Sequence, residues 1–211
     1  PPRSTLFPYT TLFRSMPIVS TSPLIKTYTL DEFWALPEPK DGTKYELIAG
    51  VLYMSPPPNF EHNFSSTTLN RIFILHLDRI GDQGFVFTPR AALWTSPATY
   101  VVPDLFYISE ETARRIDLKK PNTADLVVEI ISPSTAIYDR NTKSDTYAVM
   151  GVRELWLVDP VSDLIEVRCL VDDKTGYNIS RVFKRGELVE SNVLPGFSPS
   201  VNKIFDAIPY Q

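Results

Sequence analysis

Residues 126–131 read Leu-Val-Val-Glu-Ile-Ile, an apolar run broken only by Glu129. A short run rich in β-branched residues is a strand inside a sheet. It requires covering layers around it, and it carries a carboxylate into the interior, where the acid needs a partner or a metal ion. A structural ion pair and a functional acid satisfy this spacing equally.

Two more acids stand where they could join it. Asp104 follows Val102-Pro103 at the start of another apolar run, and Glu46 lies in Lys44-Tyr-Glu-Leu-Ile48. Along one strand, Asp125, Val127 and Glu129 share a face, but Asp125 and Glu129 are about 13 Å apart at ~3.3 Å per residue, too far to share one ion. Neighbouring strands are only ~4.8 Å apart. The productive pair is therefore Asp104 with Glu129, with Glu46 as a third carboxylate and Asp125 in a turn at the strand entrance. Acids at the rims of two strands are a usual way to hold Mg²⁺ beside a phosphate.

Asp139, Lys143 and Tyr147 follow at i, i+4 and i+8, along one helix face. A lysine there could reach back over the sheet edge to orient a hydroxide or steady a phosphate. Each residue also has a plainer reading. Asp104 could form a turn, Lys143 and Asp139 a solvated pair, and Glu46 a pair with Lys44. His62 could face substrate or sit on the surface at a helix start. Ser132-Pro133-Ser134-Thr135 could be a plain loop or a hydroxyl-rich rim.

Composition narrows the chemistry. The only cysteine is Cys169, which excludes an internal disulfide and a cysteine-held zinc, and which fits a reducing, cytoplasmic setting. With only His62 and His76 as imidazoles, a metal site must be mostly oxygen, favouring Mg²⁺, Mn²⁺ or Ca²⁺. No apolar run approaches the ~20 residues that span a bilayer. A net charge of −4 argues against general nucleic-acid binding but leaves room for a local basic patch. Arg71, Arg79, Arg114, Arg115, Lys119 and Lys120 are the candidates for backbone contacts.

Residues 5–15, Thr-Leu-Phe-Pro-Tyr-Thr-Thr-Leu-Phe-Arg-Ser, look like a translated sequencing adapter. We expect residues 1–15 to be a non-native tail, a natural start at Met16, and a single domain over 16–211. Patterning then predicts a capped helix over 29–36, a hairpin of strands 44–48 and 51–54, and a helix over 61–80. Strands follow at 85–87, 91–94, 101–108 and 126–131, then a helix over 139–150. The last strands are expected at 153–158, 164–171, 177–183 and 188–189. This is a mixed α/β (α+β) domain with a central sheet.

The motifs together resemble a known family. Tyr45-Glu-Leu-Ile-Ala-Gly50, Ser55-Pro-Pro-Pro58 with His62, Pro103-Asp104, Asp125-Leu-Val-Val-Glu-Ile-Ile-Ser-Pro-Ser-Thr135, Asp139 with Lys143 and Tyr147, and Gly151-Val-Arg-Glu-Leu-Trp-Leu-Val-Asp-Pro160 are similar to those of the Uma-two family. Its members are restriction-endonuclease-like proteins of the PD-(D/E)XK nuclease superfamily. The resemblance implies a central mixed sheet flanked by helices and a Mg²⁺ (or Mn²⁺) site. It makes Asp104 and Glu129 the metal ligands, Glu46 the extra acid, and Lys143 the catalytic cation. One departure matters: the superfamily motif places lysine two residues after the glutamate, where this chain has Ile131.

The leading expectation is a metal-dependent endonuclease acting on DNA. The alternative is a catalytically silent module that keeps the fold and binds nucleic acid or a protein. A third is a structural domain that forms a homodimer through its late aromatic strands.

Overall fold

The computed structural model describes residues 25–95, 97–133, 136–172 and 176–206. The expected adapter-derived tail, together with Ser134 and Thr135, lies outside the described residues.

Helix α1 (Leu30–Trp34) opens on a capping box, in which Thr29 accepts from the Glu32 N–H and Glu32 bonds back to Thr29. Strands β1 (Lys44–Ile48) and β2 (Val51–Ser55) form the expected hairpin. Its tight turn places Ala49 and Gly50 at φ 49° and 81°, the left-handed pair that matches strand twist. Helix α2 (Phe60–Ile80) is capped by Asn59 and stopped by a left-handed Gly81.

Strands β3 (Phe85–Phe87), β4 (Leu93–Thr95), β5 (Thr99–Val101) and β6 (Leu105–Ile108) follow. The expected single strand over 101–108 is thus two strands in different sheets. Pro103 cannot donate to a ladder, so the chain leaves one sheet and enters the other there, with Asp104 at the crossing. The short helix α3 (Glu110–Ala113), capped by Ser109, was not legible in the hydrophobic pattern.

Strand β7 (Leu126–Ile130) leads into a continuous helical stretch. This is α4 (Ala136–Tyr138), a π-helical turn (Asp139–Lys143) and α5 (Ser144–Val149). Then come β8 (Glu154–Asp159), β9 (Leu164–Asp172), β10 (Gly176–Lys184) and a second unforeseen helix, α6 (Val201–Phe205). The strand expected at 188–189 is only a bridge between Leu188 and Ser200.

The strands assort into a four-stranded sheet, β2-β1-β5-β4, and a six-stranded mixed sheet, β10-β9-β8-β7-β6-β3. β7 and β8 run parallel, so their connection must cross over a face of the sheet, and the helical stretch 136–149 does so. Period-two alternation divides β7 between two cores. Leu126, Val128 and Ile130 pack with Leu69, Phe73 and Leu77 of α2. Val127 packs on the opposite side with Tyr147 of α5 and Ile48 and Val101 of the small sheet. Glu129 shares the face of Val127.

Candidate active site

β7 carries Glu129 into the space under the crossover helix, where its side chain is only 2% exposed. The π turn delivers Lys143 to the same place. Lys143 Nζ lies 2.7 Å from Glu129 Oε1, 3.2 Å from Glu46 Oε1 and 3.7 Å from Asp139 Oδ1. Tyr147 on α5 also donates its hydroxyl to Glu129 Oε1. The expected face of Asp139, Lys143 and Tyr147 therefore exists, but it is buried, and the reading of Lys143 as a solvated surface cation is corrected. A π turn interrupts the α-helical ladder and re-aims the residues that follow it, and such turns concentrate at functional sites.

Glu46 enters from β1. Its Oε1 accepts the Val102 N–H at 2.7 Å as well as facing Lys143. Its Oε2 is buried with no hydrogen-bond partner and lies 3.8 Å from Lys44 Nζ. Both sequence readings of Glu46, as a partner of Lys44 and as a third acid, are thus present at once.

Asp104 sits beside Glu129 as spacing requires. Its Oδ2 accepts the Ile130 N–H at 2.8 Å and meets His62 Nε2 at 3.1 Å. His62 is therefore not an exposed residue at a helix start but a partner of Asp104. It lies near the N-terminus of α2, which follows the Ser55-Pro-Pro-Pro58 break, and its Nδ1 is buried without a partner. The sequence signal for it was a lone histidine beside a proline run, which spacing alone could not assign.

Electrostatics sets the character of this buried cluster. Glu46, Asp104, Glu129 and Asp139 are all buried, and Lys143 is the buried cation among them. Burial opposes the charge on Lys143, but Glu129 and Glu46 outweigh it and raise its pKa well above the usual lysine range. Burial pushes the Glu129 carboxyl up, with Asp104 and Asp139 adding to the effect against Lys143. Asp104 is also buried, yet His62, Lys44 and Lys143 hold its pKa below the ordinary value.

Buried carboxyl groups outnumber the lysines here even when the part-exposed Lys44 is counted. An excess of buried carboxyl groups, with Oε2 of Glu46 lacking a hydrogen-bond partner, fits a divalent cation bound through oxygen. Asp104 and Glu129 are the residues that would hold it, and Mg²⁺ takes one or two carboxylates with substrate oxygens and water completing its shell. As the side chains stand, no three His, Cys, Asp or Glu among the described residues are placed to hold a metal ion together. Lys143 bridges Glu46 and Glu129 instead.

The remaining candidates fall elsewhere. Asp125 binds the Ser109 N–H at 2.6 Å, the Thr112 hydroxyl at 2.8 Å and Arg153, so it anchors α3 rather than joining the cluster. Ile131 is buried among apolar side chains. Arg114 and Arg115 pair with Glu110 and Glu111 at the end of β6 away from Asp104. On α2, Arg71 is nine residues beyond His62, about 13 Å at ~1.5 Å per residue, and Arg79 farther still.

Comparison with known proteins agrees with this architecture. The family model Uma2, described as "Putative restriction endonuclease", matches residues 30–202. A solved structure from Anabaena variabilis ATCC 29413, described as a "putative nuclease belonging to DUF820", superposes with a TM-score of 0.68. It is 20% identical, over 84% of this chain and 97% of its own, and at that identity the likeness is one of fold. No curated protein matches the chain.

Proposed function

Because the chain belongs to the Uma2 family, we propose that it is a metal-dependent endonuclease that hydrolyses DNA phosphodiester bonds. The observation that carries this reading is the buried ammonium of Lys143, 2.7 Å from Glu129 and beside the acid excess. It bears on the departure at Ile131: a cation reaches the glutamate from the next helix, a relocation of the motif lysine. The silent-module reading rests on that missing lysine and on the net charge of −4, and Lys143 bears on the first of these.

In this reading Asp104 and Glu129 hold Mg²⁺ or Mn²⁺, and Glu46 assists by anchoring Lys143 and adding negative charge. The ion supplies a lowered water pKa and positive charge beside the phosphate. Lys143 has three N–H donors and no acceptor, so it orients the attacking oxygen and steadies phosphate charge rather than removing a proton. Tyr147 and Lys143 both donate to Glu129 Oε1, so together they fix the orientation of that carboxyl group. A single cysteine fits a cytoplasmic setting, and no described helix is long and apolar enough to cross a membrane.

The test is cleavage of supercoiled plasmid and oligonucleotides with Mg²⁺, Mn²⁺ or EDTA, beside the Glu129→Gln protein. Metal-dependent nicking that disappears in the folded variant is expected. Equal nicking by both proteins would remove the assignment. No nicking by a folded wild type under either metal would return the fold to a binding role.

A further inference from the structure

Glu129 pairs with Leu157 across β7 and β8, and Leu157 with Glu166 across β8 and β9. Val127, Leu155 and Arg168 form the next rung. Glu129, Glu166 and Arg168 therefore stand on one face of the sheet, the face that the crossover helix covers. Two strands away from Glu129, Arg168 grips that helix.

The grip is specific. Arg168 Nη1 donates to the backbone carbonyl of Arg140 at 2.7 Å and to the Ser144 hydroxyl at 2.8 Å. Its Nε donates to Glu166 Oε1 at 2.7 Å. Arg140 in turn donates to Glu166 Oε2 at 2.8 Å and to Asp159 Oδ2 at 3.3 Å. Arg140 is the second residue of the π turn, and Ser144 is the residue immediately after it. Lys143 lies between these two anchor points.

Resting on the nuclease reading, we propose that Arg168 is a positioning residue that clamps the π turn and so fixes Lys143 against Glu129. A π turn is a poor structure left to itself, because it departs from the regular α-helical hydrogen-bond ladder. Here a guanidinium from the sheet takes a carbonyl inside the turn and a hydroxyl just past it. The rigid fork of arginine suits this task, since its donors diverge in one plane, whereas an ammonium is a point charge on a flexible stem. The sheet thereby sets both the acid, through β7, and the height of the helix over it, through β9. Arg168 touches neither Glu129 nor Asp104 by any hydrogen bond found among the described residues, so its effect on chemistry runs through Lys143.

The test uses the full chain with Arg168→Ala and Arg168→Lys. A misplacement of about 1 Å can cost ~100-fold in rate, so kcat for metal-dependent cleavage should fall by about that factor in Arg168→Ala. KM for DNA and Mn²⁺ affinity, measured by calorimetry, should hold. Added guanidinium ion, well below unfolding concentrations, should restore part of the rate in Arg168→Ala and none in wild type. Independently of activity, Lys143 should become modifiable by an amine-reactive reagent, read by mass spectrometry, while it is protected in wild type. Unchanged kcat with Lys143 still protected would overturn the clamp. So would a loss shared equally by KM and Mn²⁺ affinity with no rescue. If Arg168→Ala does not fold, Ser144→Ala, which removes one acceptor, should show the same pattern in milder form, and wild-type behaviour there would overturn the proposal. A wild type that cuts nothing defeats the nuclease reading instead, and labelling of Lys143 still judges the clamp.

Discussion

Asp104 accepts a hydrogen bond at 2.8 Å from the backbone N–H of Ile130, the residue next to Glu129. Continuing the β6–β7 register one step beyond Leu105 and Val128 places the two acids opposite each other. Their adjacency thus follows from the strand pairing, and the bond from the Ile130 N–H holds the Asp104 side chain in place, which is how a site becomes preorganised. The remaining freedom of the Asp104 carboxylate is taken up by His62.

His62→Ala should therefore weaken metal binding while leaving the fold intact. Loss of an outer partner of a ligating carboxylate typically costs about 10–100-fold in metal affinity. Calorimetric titration with Mn²⁺, compared with His62→Gln as the variant that keeps a donor, reads this directly. Equal affinity in all three proteins would make His62 a bystander.

Lys143→Met should destabilise the chain by about 3–5 kcal/mol, the range for removing one partner from a buried ion pair. The loss arises because Glu129, Glu46 and Asp139 remain buried facing one another without the ammonium. If those carboxylates form a cation site, Mn²⁺ should raise the melting temperature of Lys143→Met more than that of wild type. Urea unfolding measures the first effect, and thermal melting with Mn²⁺ and with EDTA the second. An identical response to metal in the two proteins would contradict the site.

Glu46→Gln separates anchoring from ligation. The amide can still accept the Val102 N–H, so the hairpin and the β1–β5 junction should hold. What disappears is one of the charges that raise the Lys143 pKa. Cleavage should fall by about 10–100-fold, the cost typical of a supporting partner, instead of vanishing as in Glu129→Gln. Abolition with loss of Mn²⁺ binding would promote Glu46 to an essential ligand.

The sequence exposed the strand that carries Glu129 because six consecutive residues, five of them apolar, left no other reading. It exposed the Asp104–Glu129 pairing because strand spacing is a fixed length. It did not expose the break at Pro103, since Val101 to Ile108 is apolar on both sides of a proline that could have been an edge residue. It also missed the π turn. Residues at i, i+4 and i+8 look the same in a solvated α-helix and in a buried crossover, and only the parallel β7–β8 pairing presses that face onto the sheet. α3 and α6 span 4 and 5 residues, too short for a helical period to register.

Asp125 gives a prediction about acid stability that is independent of the metal site. Burial would raise its pKa, but the Ser109 N–H, the Thr112 hydroxyl and Arg153 outweigh burial and hold it below the ordinary value of 3.8. A carboxyl whose folded pKa is depressed binds fewer protons in the native state than in the unfolded chain, so stability rises with pH across the interval between the two values. The contribution is therefore full above the unfolded pKa and is lost as pH falls through the folded one. Asp125→Asn keeps a carbonyl acceptor but cannot ionise, so its unfolding free energy should be lower at pH 6 and should fall less steeply below about pH 4. Urea unfolding of both proteins from pH 6 to pH 3 checks this: parallel curves would mean that Asp125 contributes no differential protonation.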